Sequence, residues 1–223
     1  IDRGVKVCIQ AGNQVLTMSE EQEHHLLQQA RKIKYLQRTL SRQKNKNSHR
    51  RRRIKHRLGR AYQKTRNIRR AFCHQASHDL IKGPNKVFIL ENLKTANMTR
   101  SAKGTVENPG RNVKAKSGLN RAILNKGWHL FESFLSYKAQ KYGKAVFKIS
   151  AAYTSQACAI CDYTHPDNRQ TQACFACVNC DHRDNADRNA AKVIKKRAIH
   201  LLRYSGTELV GKGIASLSAT GLP

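Results

Sequence analysis

The chain of 223 residues carries 43 lysines and arginines against 14 aspartates and glutamates, for a net charge of +29 and a pI near 10.4. Charge of that size repels itself unless a polyanion offsets it, so DNA or RNA is the expected partner and its binding should weaken steeply with salt. No long apolar span is present and the basic segments lack a Trp- or Phe-rich face, which argues against a membrane partner; with no targeting segment, a bacterial cytoplasm, in association with the nucleoid, is the simplest location.

The length suffices for one medium domain with a sizeable core and a small inserted module. From Ile1 to Met18, apolar residues alternate about Gly12-Asn13 as in a β-hairpin, with Asp2 on its first strand. Ser19 then opens a helical pattern, with Glu20, Glu21 and Glu23 in the first turn and Leu26, Ala30, Ile33, Leu36 and Leu40 along one stripe. A polar, basic break over 41–53 leads to a second helix, marked by Ile54, Leu58, Ala61, Ile68 and Phe72, that reaches about Ile81 and stops at Gly83-Pro84. The two stripes predict an antiparallel helical hairpin over 20–82. Its tip and outer faces hold Arg50, Arg51, Arg52, Arg53, Lys55, Arg57 and Arg60. Acids are nearly missing after Glu23, so these cations lack the i,i+4 partners of an ordinary solvated face, and nucleic-acid contact is favoured over inert surface.

Residues 86–93 form a short apolar run that reads as a buried strand delivering Glu91 at its C-terminal end. The segment 95–117 is almost free of apolar residues and is expected as a mobile loop, with Lys94, Arg100, Lys103 and Arg111 able to touch phosphates. A single amphipathic helix is expected over 119–142, burying Leu124, Trp128, Phe131, Leu135 and Ala139, followed by a strand over 144–149.

Two Cys-x-x-Cys pairs follow: Cys158 with Cys161, then Cys177 with Cys180 after fifteen intervening residues. Each pair makes a knuckle that supplies two corners of a tetrahedron, and four soft thiolates select Zn²⁺ over Mg²⁺ or Ca²⁺. Disulfide or redox use of the same pairs is the competing reading, which a reducing compartment disfavours. Cys174 and Cys177 could instead form the second pair. The preferred assignment keeps Cys174 as a small buried residue on a strand leading into the knuckle.

The acids can be sorted without reference to the cysteines. Glu20, Glu21 and Glu23 open a helix; Asp79, Glu107, Glu132 and Glu208 lie in polar surroundings; Asp162, Asp167 and Asp181 belong to the cysteine module. Asp2, Glu91, Asp184 and Asp187 remain beside apolar strands or an Ala-rich helix. Three such carboxylates suffice to hold a pair of Mg²⁺ ions roughly 4 Å apart. Asp184 also has the place of a helix N-cap, and Asp187 that of an acid answering the helix dipole.

The run Tyr153-Thr154-Ser155-Gln156 before Cys158, the stretch from Gln172 to Cys180, and Asn185-Ala186-Asp187-Arg188-Asn189-Ala190-Ala191 together resemble the C-terminal end of TnpB proteins. These are RuvC-like nucleases of insertion sequences, similar also to type V CRISPR effectors. The resemblance implies an α/β, RNase H-like (RuvC) domain over 1–150 with the basic hairpin inserted at 20–82, then a zinc ribbon over 151–183, a final helix over 184–204 and a flexible tail over 205–223. It implies Asp2 of Asp-x-Gly, Glu91 of Glu-Asn-Leu and Asp187 as catalytic ligands of Mg²⁺ or Mn²⁺, structural Zn²⁺ at Cys158, Cys161, Cys177 and Cys180, DNA as substrate, and a guide RNA as partner of the intact protein. TnpB proteins carry a guide-binding and wedge region before the first motif, so the chain is expected to correspond to their C-terminal part. A catalytically silent DNA- or RNA-binding zinc-ribbon fragment is the alternative of a different class. Asp162 and Asp181 stand where the family's knuckles usually end in Gly, a position that often needs a left-handed backbone.

Overall fold

The opening hairpin consists of β1 (Ile9–Ala11) and β2 (Gln14–Leu16), paired antiparallel about Gly12, whose φ of 60° is the left-handed conformation such a turn demands. The structure, a computed structural model, describes residues 1–5, 7–171, 173–204 and 214–216. Asp2 is not part of β1. The chain bends between them, and Asp2 pairs back onto Gln10 through two backbone hydrogen bonds of 2.9 Å. The amino nitrogen of Ile1 donates to the Ile89 carbonyl at 2.6 Å, which lays the first residues beside the strand that carries Glu91.

Two units divide the chain: Ile1–Thr17 with Ala76–Pro223, and Met18–Gln75. In the second unit, α1 (Glu20–Ser41) starts on a capping box in which Ser19 Oγ accepts from the Gln22 N–H and the Gln22 side chain accepts from the Ser19 N–H. Helix α2 (His49–Lys82) begins earlier than composition suggests, so the break is confined to 42–48 and Arg50 to Arg53 already lie on its first turns. Leu36 of α1 and Ile54 and Ala61 of α2 are buried. Tyr62 on α2 accepts a 2.7 Å hydrogen bond from the Gln37 side chain on α1.

The first unit is built on a parallel sheet of order β3-β4-β7, with β3 (Val87–Glu91), β4 (Ala145–Ile149) and β7 (Ile214–Ser216). The register sets Glu91 opposite Ile149 at the C-terminal ends of β3 and β4. Between those strands the expected loop is organised instead: α3 (Thr95–Met98), a tight turn closed by Thr105 N–H to Asn108 O at 3.0 Å and Gly110 N–H to Lys103 O at 2.9 Å, and then α4 (Val113–Asn125). The single helix expected over 119–142 is two, α4 and α5 (Trp128–Lys141), because Gly127 adopts φ 69°, outside the helical region. The interruption also turns Leu124 outward, while Trp128, Phe131, Leu135 and Ala139 of α5 are buried as expected.

The cysteine module carries a short ribbon, β5 (Cys174–Ala176) paired antiparallel with β6 (Arg183–Asn185), and leads into α6 (Ala186–Tyr204). Helix α6 docks through Ile194 and Ala198, both fully buried, onto Ile149 of β4, with Ile89 and Leu201 at the margin. Burial of Ile194 alone contributes about 2 kcal/mol. Of the tail expected over 205–223, only β7 falls within the described residues, and it pairs parallel with β4; the rest lies outside them.

Candidate functional site

Two groups of side chains stand out, and α6 serves both. In the first, the sulfurs of Cys158, Cys161, Cys177 and Cys180 all lie within 4.8 Å of one another, with Cys158 to Cys180 at 3.7 Å and Cys161 to Cys177 at 3.6 Å. Zn–S bonds of roughly 2.3 Å in a tetrahedron place sulfurs roughly 3.8 Å apart, so the two pairs at 3.7 and 3.6 Å have the spacing Zn²⁺ needs. Cys174 is exposed and takes no part, which corrects the expectation of a buried residue there while supporting the pairing of Cys177 with Cys180.

The two knuckles are built alike. The N–H of Cys158 donates to Tyr163 O at 3.0 Å and that of Cys177 to His182 O at 2.9 Å, while Asp162 and Asp181 return bonds of 3.1 Å to the Cys158 and Cys177 carbonyls. Asp162 and Asp181 have φ of 62° and 55°, the left-handed turn that Gly would take at no steric cost. Lys196 of α6 meets the Asp162 carboxylate at 2.5 Å and donates to Ile160 O at 3.3 Å, tying the first knuckle down. A backbone hydrogen bond from Tyr163, foremost, lowers the Cys161 thiol to about 6, whereas burial raises that of Cys158; on Cys180 a backbone hydrogen bond from His182 acts downward, but hydrogen bonding with Cys161 and its neighbours prevails and pushes it up to about 12.

Two asparagines that the sequence reading left without a role hold this module. Asn168, completely buried, donates to Gln156 O at 2.8 Å and Tyr163 O at 3.0 Å and accepts from the Val178 N–H at 2.9 Å, linking one knuckle to the other. Asn189 on α6, equally buried, donates to Ala157 O at 2.8 Å and accepts from the Ala159 N–H at 3.1 Å. The sequence signal was there in the Asp187-Arg188-Asn189 run, but nothing in its pattern says that the amide faces inward.

The second group is the acids. Burial, foremost, and then the charge of Asp187 raise the Asp2 carboxyl above its usual range; burial and then the charge of Asp2 raise that of Glu91, against a lowering hydrogen bond from Thr154. Asp2, Glu91 and Asp187 therefore share one electrostatic site at the C-terminal end of β3. Among the described residues the four thiols form the group closed to within 4.8 Å, so the three carboxylates are not drawn together as tightly. Thr154 Oγ1 donates to Glu91 Oε1, and the Arg169 guanidinium stands 3.8 Å from Asp187 Oδ1, so the cysteine module sends two side chains to the acids.

Asp184 sits apart on β6, where it accepts from the Asn185 N–H at 2.8 Å and from Lys192 at 2.7 Å; burial acts upward on it but these bonds prevail and its pKa is lowered. It is not the N-cap of α6. Asn185 is, its Oδ1 accepting from the N–H groups of Asp187 at 3.0 Å and Arg188 at 3.2 Å. Glu132, expected in polar surroundings, is buried between Arg3 and Lys148. On α2, Arg50, Arg52, Arg53, Lys55, Arg57 and Arg60 are exposed. Arg51 is not a free contact: its Nη1 donates to Leu40 O at 2.9 Å and Gln43 O at 3.1 Å, closing the turn between the two helices.

The family model OrfB_IS605, described as a probable transposase, matches residues 4–102, and that of the Cas12f1-like TNB domain matches 128–194. The chain is 43% identical over 164 residues to InsQ of Escherichia coli (strain K12), provisionally named an RNA-guided DNA endonuclease; the match takes in 74% of this chain and 40% of that protein. It is 39% identical over 75 residues to the CRISPR-associated endodeoxyribonuclease Cas12f1 of Sulfoacidibacillus thermotolerans, covering 34% of this chain and 18% of that one. A solved complex of Cas12f1 with its single guide RNA and target DNA superposes with a TM-score of 0.50 at 19% identity, over 76% of this chain and 41% of that chain, a likeness of fold alone. These matches define an α/β chain of the class shared by insertion-sequence transposase-like proteins and Cas12f effectors. Within that class its similarity is to the TnpB family, through the OrfB_IS605 match and the 43% identity to InsQ. The chain spans well under half the length of the curated relatives that it matches.

Proposed function

We propose that this chain carries the nuclease centre of a TnpB-type protein, hydrolysing DNA phosphodiesters with Asp2, Glu91 and Asp187 as the ligands of Mg²⁺ or Mn²⁺. The observation that supports it most is the meeting of three carboxylates from distant parts of the chain at the end of a parallel sheet, where burial and mutual charge raise Asp2 and Glu91 above the usual carboxylate range. Charges crowded in this way are costly unless cations compensate them, which is the condition a cation site exploits. Divalent ions, when bound, would supply Lewis acidity at the phosphate. The protein's own part is to fix the ligands: Thr154 orients Glu91, the Asn185 cap and the buried Asn189 fix the turn of α6 that bears Asp187, and Arg169 sets a permanent positive charge where an anionic substrate would approach.

The finer architecture belongs to the same proposal: an RNase H-like (RuvC) domain over 1–150 with the hairpin of 20–82 inserted, a Zn²⁺ ribbon over 151–183 whose four thiols have the spacing zinc needs, and a closing helix over 184–204. DNA is the substrate, with a guide RNA as partner of the intact protein, and the net charge of +29 supports association with the nucleoid. No described helix is long and apolar enough to cross a membrane. The exposed cations of α2, Arg50, Arg52, Arg53, Lys55, Arg57 and Arg60, contact nucleic-acid phosphates.

The test is Mn²⁺-dependent cleavage of single-stranded DNA. Asp187→Asn keeps size and hydrogen bonding but removes the ligand charge, so cleavage falls by orders of magnitude, whereas Asp184→Asn has a small effect. If Asp184→Asn abolishes cleavage while Asp187→Asn retains it, the third ligand is misassigned; if neither these changes nor Asp2→Ala matter to an active protein, this is not its catalytic centre.

A further inference from the structure

Behind the acidic centre lies an ion triad that the chemistry above does not use. Arg3 is 5% exposed; its Nη1 donates to Glu132 Oε2 at 3.0 Å and its Nη2 to the main-chain carbonyl of Glu91. The other oxygen of Glu132 lies 2.5 Å from Lys148 Nζ, on the strand residue registered with Leu90. One carboxylate on α5 therefore holds two cations, one adjoining Asp2 in sequence and one beside the residue that precedes Glu91.

A buried guanidinium stripped of its anion is strongly unfavourable, so Arg3 must keep one. The anions in its field other than Glu132 are Glu91 and Asp2, two of the three carboxylates assigned to the cation site. Arg–carboxylate pairing is short and often bidentate, and a divalent cation would have to displace it. We infer that Glu132 is a positioning residue that commits Arg3 to the Glu91 carbonyl and so keeps it off the Asp2 and Glu91 carboxylates, leaving them free for divalent cations. This rests on the proposed cation site, and its test separates the two.

The experiment is titration of the purified, zinc-containing chain with Mn²⁺, counting free ion by electron paramagnetic resonance and so requiring no cleavage. Asp2→Asn defines background binding. Glu132→Gln, which keeps shape and loses charge, is expected to weaken Mn²⁺ binding about tenfold. Removing the displaced cation as well, in Arg3→Gln with Glu132→Gln, is expected to restore affinity to within about threefold of wild type, a recovery that loss of a merely structural contact would not give. Should Glu132→Gln not fold, Glu132→Asp makes the same comparison, since its carboxylate keeps the charge but retreats by one methylene: weaker binding supports the inference and unchanged binding overturns it. Unchanged affinity in Glu132→Gln, or a double variant no better than the single one, overturns the role of Glu132 alone. Wild type binding no more Mn²⁺ than Asp2→Asn overturns the cation site beneath it.

Discussion

Asn189→Ala probes the joint between the cysteine module and the helix that bears Asp187. The side chain is completely buried and makes two hydrogen bonds, to Ala157 O at 2.8 Å and from the Ala159 N–H at 3.1 Å. Truncation removes both and strands the buried Ala157 carbonyl and the partly buried Ala159 N–H. A stranded buried group costs about 1–3 kcal/mol, so the pair sets an expected loss of about 2–6 kcal/mol, the lower end applying if water enters the space. Trp128, the only tryptophan, is 5% exposed in the same unit and reports its unfolding by fluorescence in a urea titration. Asn189→Asp sharpens the test: it keeps the acceptor but sets a carboxylate oxygen against the Ala157 carbonyl, so it should destabilise at least as much. A change below about 0.5 kcal/mol for Asn189→Ala, with the slope of the titration unaltered, would refute the claim that this amide is the fastening.

Elemental analysis of protein purified under reducing conditions should find about one Zn²⁺ per chain, lost in Cys177→Ala and retained in Cys174→Ser. At the left-handed knuckle position, Asp162→Gly should stay within about 1 kcal/mol of wild type, because relief at φ 62° offsets the exposed Lys196 pair, whereas Asp162→Val should lose about 1–2 kcal/mol in the same denaturation assay. Replacing Arg52, Arg53 and Arg57 by Gln should lower the salt slope of DNA binding by roughly 2–3, while Arg51→Gln should leave that slope nearly unchanged and loosen the hairpin turn, as read by hydrogen exchange at 42–48. In metal-free protein Asp2 and Glu91 are raised, so the folded state favours their protonated forms: their contribution to stability is full below the unfolded-state carboxylate range and is lost as pH rises through the raised native values. Asp2→Asn should flatten that decline, and thermal melts across pH would show it.

Regular chemistry was readable from the sequence. The helix start at Ser19, the stop at Gly83-Pro84, the apolar strands ending at Glu91 and Ile149, and the spaced cysteine pairs each declare themselves locally. The misreadings have two physical causes, a deciding partner that is distant and a local choice between near-equal residues. Glu132 looked like a surface acid because Arg3 and Lys148, which bury it, are far away in sequence; Asp184 looked like a cap because Asn185, next to it, is an equally good one. A glycine within an apolar helical pattern left the break at Gly127 invisible until its φ of 69° was seen. Arg51 resembles its three neighbours in every local respect and differs only in the two carbonyls that the turn of the chain presents to it.

Asp2 lies near the start of the chain, Glu91 at the end of β3, and Asp187 in the first turn of α6, so the acidic centre is assembled from pieces that leave a ribosome far apart in time. Asp187 joins Asp2 and Glu91 only when α6 docks through Ile194 and Ala198 on the strands beneath. Closing loops of such length is slow compared with forming the local helices of the hairpin. During synthesis the helical hairpin can therefore form well before the three carboxylates meet.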